Sequence, residues 1–213
     1  MKLYDYFRSS AAYRARIALN LKCIAPERAF VHLRHAAQRH DDYLALNPQG
    51  LVPALATDGG DVLTQSLAII EWLDEAHPHP PLLPSTAEGR ARVRALALAI
   101  ACDIHPLNNL RVLNYLTGTL GATDTQRDGW YRYWCDVGLE ALETQLARDA
   151  KTGAFCHGAT PTLADICLVP QLANARRVHL DLAPYPTLLA IESACLALPE
   201  FAAAAPAKQP DAE

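Results

Sequence analysis

The chain has 213 residues, of which 51% are apolar and 20% charged, with a net charge of −4. That is enough for one large domain or two small ones, and it excludes an intrinsically disordered composition. The basic residues are scattered and form no stripe that would suit nucleic acid, so a small-molecule partner is expected.

The stretch Lys2 to Lys22, KLYDYFRSSAAYRARIALNLK, joins a short apolar strand to a helix through a polar elbow. Leu3, Tyr4, Tyr6 and Phe7 have strand composition, whereas Ala12, Ile17, Ala18, Leu19 and Leu21 recur at helical spacing behind a basic face of Arg14, Arg16 and Lys22, read as exposed. Arg8, Ser9 and Ser10 lie between the two. A hydroxyl there can serve as a plain helix cap, or it can stand with the free first-turn amides as an anion site.

A second strand is predicted over Arg28 to Leu33, and a short irregular helix over Ala36 to Leu46, stopped by Asn47-Pro48. Ala54 to Thr57 and Val62 to Thr64 flank Asp58-Gly59-Gly60, a hairpin signal, and Ser66 is placed to cap the helix beginning at Leu67. By residues alone Pro53 reads as an ordinary trans turn proline and Gln65 as solvated. His77-Pro78-His79-Pro80-Pro81 with Pro84 marks a linker, and its two histidines lack partners at ligand spacing, so no metal is expected.

Beyond Gly89 only helices are predicted: Arg90 to about Thr117 with a bend at Pro106, Thr125 to Asp149, Leu163 to about Arg177, and Pro186 to Ala197. The apolar run Ala95 to Ile104 falls far short of the ~20 residues a bilayer requires, so no membrane span is expected. Thr162-Leu163-Ala164-Asp165 has capping-box spacing. The six cysteines, Cys23, Cys102, Cys135, Cys156, Cys167 and Cys195, contain no C-x-x-C pair. With no secretory leader ahead of the first strand, they read as buried thiols of a cytoplasmic protein. The expected organisation is an α/β unit over residues 1–82 and an all-α unit over 89–213.

RSSAAYRARIALNLK, NPQGLVPAL, TQSLAIIEWL, CDIHPLNNLRVL, TPTLADICLVPQLANARR and DLAPYPTL, taken together and in order, resemble the glutathione transferase superfamily and its zeta class in particular. The resemblance implies a thioredoxin-like first domain, a helical second domain, a homodimer and a glutathione site beside the elbow. It also implies that Val52-Pro53 is cis, with the backbone of Val52 pairing with the cysteinyl part of glutathione. Gln65 and Ser66 would hold the γ-glutamyl end, Gln38 and Gln49 the glycyl end, and Asp103, His105 and Asn108 would reach the site at the dimer interface.

The activity implied is glutathione-dependent cis–trans isomerisation of a maleyl diketo acid in aromatic catabolism. Ser9 or Ser10 would stabilise the thiolate, and Arg8, Arg111 and Arg177 would hold a dicarboxylic substrate. The zeta pattern S-S-C-S is here Ser9-Ser10-Ala11-Ala12, so the family's cysteine is absent. Leu110 stands where maleylpyruvate-specific relatives carry a further arginine, which tilts the expectation toward maleylacetoacetate. General transfer of glutathione or dehalogenation of small α-halo acids is the alternative enzyme reading, and a non-catalytic protein that kept the fold is the alternative from outside enzymology.

Overall fold

A computed structural model describes residues 1–213. It divides into two compact units, Met1–Leu82 with Leu196–Glu213, and Leu83–Cys195. The first unit therefore recovers the C-terminal segment, which the sequence reading assigned to the helical domain.

In the first unit, β1 (Lys2–Asp5), α1 (Ser10–Leu21) and β2 (Glu27–Phe30) make a parallel crossover. After it come α2 (Asp41–Leu46), the hairpin β3 (Ala54–Ala56) and β4 (Val62–Thr64), and α3 (Ser66–Ala76). The sheet order is β2-β1-β3-β4, with β1 parallel to β2 and antiparallel to β3. Leu3 and Leu55 face each other in register and are wholly buried, with Ile17, Ile69, Ile70 and Leu73 of the helices completing the core. The predicted helix over Ala36 to Leu46 is broken. Ala36 has φ +56°, a left-handed conformation that no helix propagates, so two 3-10 turns, Leu33–His35 and Ala37–Arg39, precede α2.

The basic face of α1 is not exposed. Arg14 and Arg16 are 1% and 2% accessible, and Lys22 donates to Asp74 and to the carbonyl of His77, both at 2.7 Å. Charge in a sequence marks an outer face only where the fold leaves that face unpartnered, and here acids and carbonyls meet Arg16 and Lys22 while a serine hydroxyl meets Arg14. Arg16 donates to Asp5 at 2.7 Å, and Arg28 also pairs with Asp5. α9 (Pro199–Ala204) belongs to the same unit and packs on α1, with Arg16 Nε donating to the carbonyl of Ala204 at 3.0 Å.

The second unit is all helix: α4 (Ala87–Leu98), α5 (Leu110–Gly118), α6 (Asp124–Arg148), α7 (Leu163–Arg177) and most of α8 (Pro186–Leu196). The continuous helix predicted from Arg90 to Thr117 gives way after Leu98 to a π-helical turn, Ala99–Ile104, and a 3-10 turn, His105–Asn108. Pro106 has no N–H to donate, and its ring excludes regular α geometry in the preceding turn. α6 comes close to this irregular segment at Gly138, where a Cβ would lie 2.3 Å from Ile104. The capping box predicted at Thr162 is present, and the Asp165 carboxylate accepts the N–H of Thr162 and that of Cys156, both at 2.7 Å. Of the cysteines, Cys135, Cys156, Cys167 and Cys195 are buried as expected, whereas Cys23, just past α1, and Cys102, within the π-helical turn, are exposed.

No helix is long and apolar enough to cross a membrane, and no three His, Cys, Asp or Glu side chains gather as a metal-binding group would.

Candidate functional site

The elbow is built by backbone first. Ser9 sits in extended geometry (φ −70°, ψ 117°) and caps α1, its Oγ accepting the N–H of Ala12 at 3.2 Å. Its own N–H donates to the carbonyl of Tyr6 at 3.0 Å. Because the cap uses a lone pair of the Ser9 oxygen, the hydroxyl proton is still available for an outside acceptor. Arg8 is exposed, Ser9 partly exposed and Ser10 buried. Arg16 grips the strand end that leads into the elbow, donating to the carbonyl of Phe7 at 3.1 Å, while the N–H of Phe7 donates to Asp211 at 2.9 Å. Asp5, Arg16 and Asp211 were missed in the sequence because their partners lie on other elements, at separations no local pattern records.

Val52-Pro53 is cis, as the resemblance implies, and both residues are buried. Val52 packs in one cluster with Tyr6, Phe7, Val31 and Tyr43, which joins its loop to the strand end below the elbow. The carbonyl of the preceding Leu51 accepts from the Tyr43 hydroxyl at 2.7 Å and from Asn47 Nδ2 at 2.8 Å. Burial pushes the Tyr43 hydroxyl up to about 12, so it remains a donor throughout the physiological range.

The glutamines converge in part. Gln65 Nε2 donates to Gln49 Oε1 at 2.8 Å. Gln38, half-buried in the second 3-10 turn, keeps its Oε1 buried without a partner. Gly50 lets these loops meet: at φ +59° its missing Cβ would stand 2.9 Å from the carbonyl oxygen of Gln38. The helix cap predicted at Ser66 falls on Gln65 instead, at φ +69° and ψ 119° and without a side-chain cap bond. Ser66 is the first residue of α3, buried, and its Oγ accepts from Arg14 Nη1 at 3.4 Å. Non-glycine residues with such φ values cost roughly 1–3 kcal/mol and collect at functional sites.

In the second unit Asp103 is exposed and His105 half-buried on the irregular segment. Asn108 is turned into the helical core, where its Nδ2 donates to Cys135 Sγ at 3.4 Å beside Gln171 Nε2 at 3.2 Å. Burial pushes the Cys135 thiol up to about 12, which removes it as a nucleophile at neutral pH. Arg177 is exposed and donates to the Tyr131 hydroxyl at 3.2 Å. Its neighbour Arg176 is held by both oxygens of Glu192. Arg111 is exposed near the start of α5, a helix capped by Asn109.

The glutathione S-transferase N-terminal domain family matches residues 8–76 and the corresponding C-terminal domain family residues 138–194. A maleylpyruvate isomerase from a Ralstonia species is 53% identical over 99% of both chains. A probable maleylacetoacetate isomerase of Vibrio cholerae is 52% identical over 99% of this chain and 97% of its own. The holo structure of a bacterial maleyl pyruvate isomerase of the zeta class superposes with a TM-score of 0.97 at 52% identity, covering all of both chains. A maleylacetoacetate isomerase from Methylobacterium extorquens AM1, solved with malonate and glutathione bound, superposes at 0.98 with 44% identity, again over all of both chains. The chain belongs to the glutathione S-transferase family and, within it, to the zeta class.

Proposed function

We propose that this protein is a glutathione-dependent cis–trans isomerase of maleyl diketo acids, acting on maleylacetoacetate in aromatic catabolism. The observation that carries the reading is the elbow: a helix-capping hydroxyl, partly exposed at the N-terminus of α1, whose proton is not spent on the cap. Its full-length relatives carry the names of two isomerases at 53% and 52% identity, too close to choose between substrates. Leu110, exposed at the first turn of α5 where an arginine would favour maleylpyruvate, supports the longer substrate.

The residues of the first unit fit glutathione. The buried, unpartnered Gln38 Oε1 can accept from an amide N–H, Ser66 and the first-turn amides of α3 suit a carboxylate, and the loop of Val52, packed against Tyr6 and Phe7, can offer its backbone to an extended peptide. Glutathione supplies, when bound, a thiolate that can add reversibly to the cis double bond and leave once rotation has occurred. Keeping a thiol of ordinary pKa near ~8.5 mostly ionised at neutral pH takes about two units, or roughly 2.7 kcal/mol. The amides of a helix terminus give ~0.3–1 kcal/mol. A hydroxyl donating to the charged sulfur adds ~1.5–3 kcal/mol, so Ser9 carries most of the effect, with Ser10 buried behind it. No cysteine stands at the elbow to be oxidised.

Arg8, exposed beside Ser9, faces the developing negative charge of the reacting diketo acid, and Arg111 and Arg177 hold its carboxylates. Asp103, exposed, and His105, half-buried, approach the glutathione of a partner subunit in a homodimer, and the protein works in the cytoplasm. Turnover of maleylacetoacetate and maleylpyruvate, each measured with and without glutathione, tests the reading. Isomerisation that proceeds equally well without glutathione would overturn it.

A further inference from the structure

The C-terminal tail has no place in the roles assigned above, although it lies against the elbow. Asp211 Oδ2 accepts the N–H of Phe7 at 2.9 Å, and its Oδ1 is buried without a partner. The carbonyl of the same residue, Phe7, is taken by Arg16 at 3.1 Å. The residue two positions before Ser9 is thus fixed on its donor side by the tail and on its acceptor side by α1. The tail is itself moored. Arg28 Nη2 donates to Gln209 Oε1 at 3.0 Å, Gln209 Nε2 donates to the carbonyls of Ala203 and Ala205 at 2.9 Å each, and Glu213 pairs with His32 and with Arg34.

We propose that Asp211 is a positioning residue for the catalytic elbow: by holding the backbone of Phe7 it aims the hydroxyl of Ser9, and it acts on the glutathione thiol through Ser9 without touching it. A bond from a backbone N–H to a carboxylate belongs to the strong, charge-assisted kind, and it restrains the chain one residue before Arg8. Loss of that restraint lets the peptide between Tyr6 and Phe7 turn; its carbonyl accepts the N–H of Ser9 at 3.0 Å, so the direction of the Ser9 hydroxyl moves with it. Misplacement of a catalytic group by about 1 Å is enough to cost up to ~10²-fold in rate. The inference rests on the isomerase reading above.

The variants that test it are Asp211→Ala, Asp211→Asn and, as a control on the same tail that removes none of the contacts named above, Lys208→Ala at an exposed position. Three quantities are read: hydrogen exchange of the Phe7 amide in the unliganded protein, the pKa of the bound glutathione thiol followed by thiolate absorbance, and kcat and KM. Asp211→Ala should speed exchange of the Phe7 amide, raise the thiol pKa and lower kcat by about tenfold, with KM and glutathione affinity within about twofold. Asp211→Asn, which keeps a neutral acceptor, should give a smaller change in the same direction, and Lys208→Ala should match the wild type in kcat and thiol pKa. A folded Asp211→Ala protein with wild-type thiol ionisation and kcat would overturn the proposal, and so would an unchanged Asp211→Asn protein should the alanine variant not fold. A wild-type protein that binds no glutathione would remove the isomerase reading and this one together. A wild type that ionises glutathione beside a variant that does so equally removes this one alone.

Discussion

Arg14 Nη1 on α1 stands 3.4 Å from Ser66 Oγ at the start of α3, so the helix that follows the elbow is tied to the turn proposed to receive the γ-glutamyl end of glutathione. A long hydrogen bond from a buried guanidinium leaves the Ser66 hydroxyl proton free to donate onward to a carboxylate. Ser66→Ala should therefore weaken glutathione binding by about tenfold to a hundredfold, in keeping with ~1.5–3 kcal/mol for a hydrogen bond to a charged group. The thiol pKa of whatever glutathione still binds should not move. Calorimetry beside thiolate absorbance separates the two, and unaltered affinity would exclude Ser66 from the site.

Ser9 caps α1 and is proposed to donate to the thiolate, and two substitutions take the two roles apart. Alanine removes both the cap and the hydroxyl, whereas glycine removes the hydroxyl but caps nearly as well. Ser9→Ala should cost roughly 1 kcal/mol of stability and Ser9→Gly only a few tenths. Both should lower turnover at neutral pH by about ten- to a hundredfold if the hydroxyl gives the thiolate ~1.5–3 kcal/mol. The sign with pH follows from the thiol: a pKa raised by loss of a donor leaves less thiolate at neutral pH, so the deficit is largest there and shrinks as pH climbs through the new pKa. A pH–rate profile that is merely scaled down at every pH would show that Ser9 does not ionise the thiol.

The pattern of apolar residues placed the strands and the helices over Asp124–Arg148, Leu163–Arg177 and Pro186–Leu196 close to where they stand, because hydrophobic period is a local property. What it misplaced depended on distant partners. Arg16 looked like surface from its neighbours, and only the arrival of Asp5 on the adjacent strand makes it a 2% exposed core residue. The tail residues Gln209 and Asp211 sit in a run of alanine and proline with no periodicity to mark them, so their return to the elbow was invisible. The candidate site was legible mainly through its resemblance to a family. By residues alone Gln65 was a solvated loop position, and neither its φ of +69° nor its contact with Gln49 could be read from a glutamine between threonine and serine.

Arg16 supplies a test of that buried network. Removing one member of a buried pair costs about 3–5 kcal/mol, because the other charge is left without its partner. Arg28 remains on Asp5, so Arg16→Met should fall at the lower end, about 3 kcal/mol, measured by urea denaturation. A loss below ~1 kcal/mol would mean that Asp5 finds full compensation elsewhere.

Gly50 tests how closely the Gln38 and Gln49 loops must approach. A Cβ there meets the carbonyl oxygen of Gln38 at 2.9 Å, and a backbone atom cannot swing aside as a side chain can. The φ of +59° adds strain of its own. Gly50→Ala should therefore destabilise the protein by roughly 1–3 kcal/mol. In the protein that remains folded it should weaken glutathione binding. Affinity at the wild-type value would place the glycyl end of glutathione elsewhere.

The arginines of the helical unit should separate capture of the acid from chemistry on it. Arg177 is exposed yet fixed by its bond to the Tyr131 hydroxyl, so its guanidinium is held in one place with donors to spare. Arg177→Ala should raise KM for either diketo acid by about tenfold and leave kcat within about threefold, because a carboxylate contact made in both the ground and transition states is uniform binding. Arg8→Ala should instead lower kcat as well, since the charge it is proposed to face grows during the reaction. Leu110 then bears on selectivity. It is 42% exposed at the first position of α5, where an introduced arginine can extend without displacing core. Leu110→Arg should increase kcat/KM for maleylpyruvate relative to maleylacetoacetate, by the tenfold or so that one added carboxylate contact of ~1.4 kcal/mol gives. Competition between the two substrates, followed by the disappearance of each, measures the ratio directly. If the ratio does not move in the arginine variant, position 110 has no part in reading the substrate, and the preference for maleylacetoacetate loses its support.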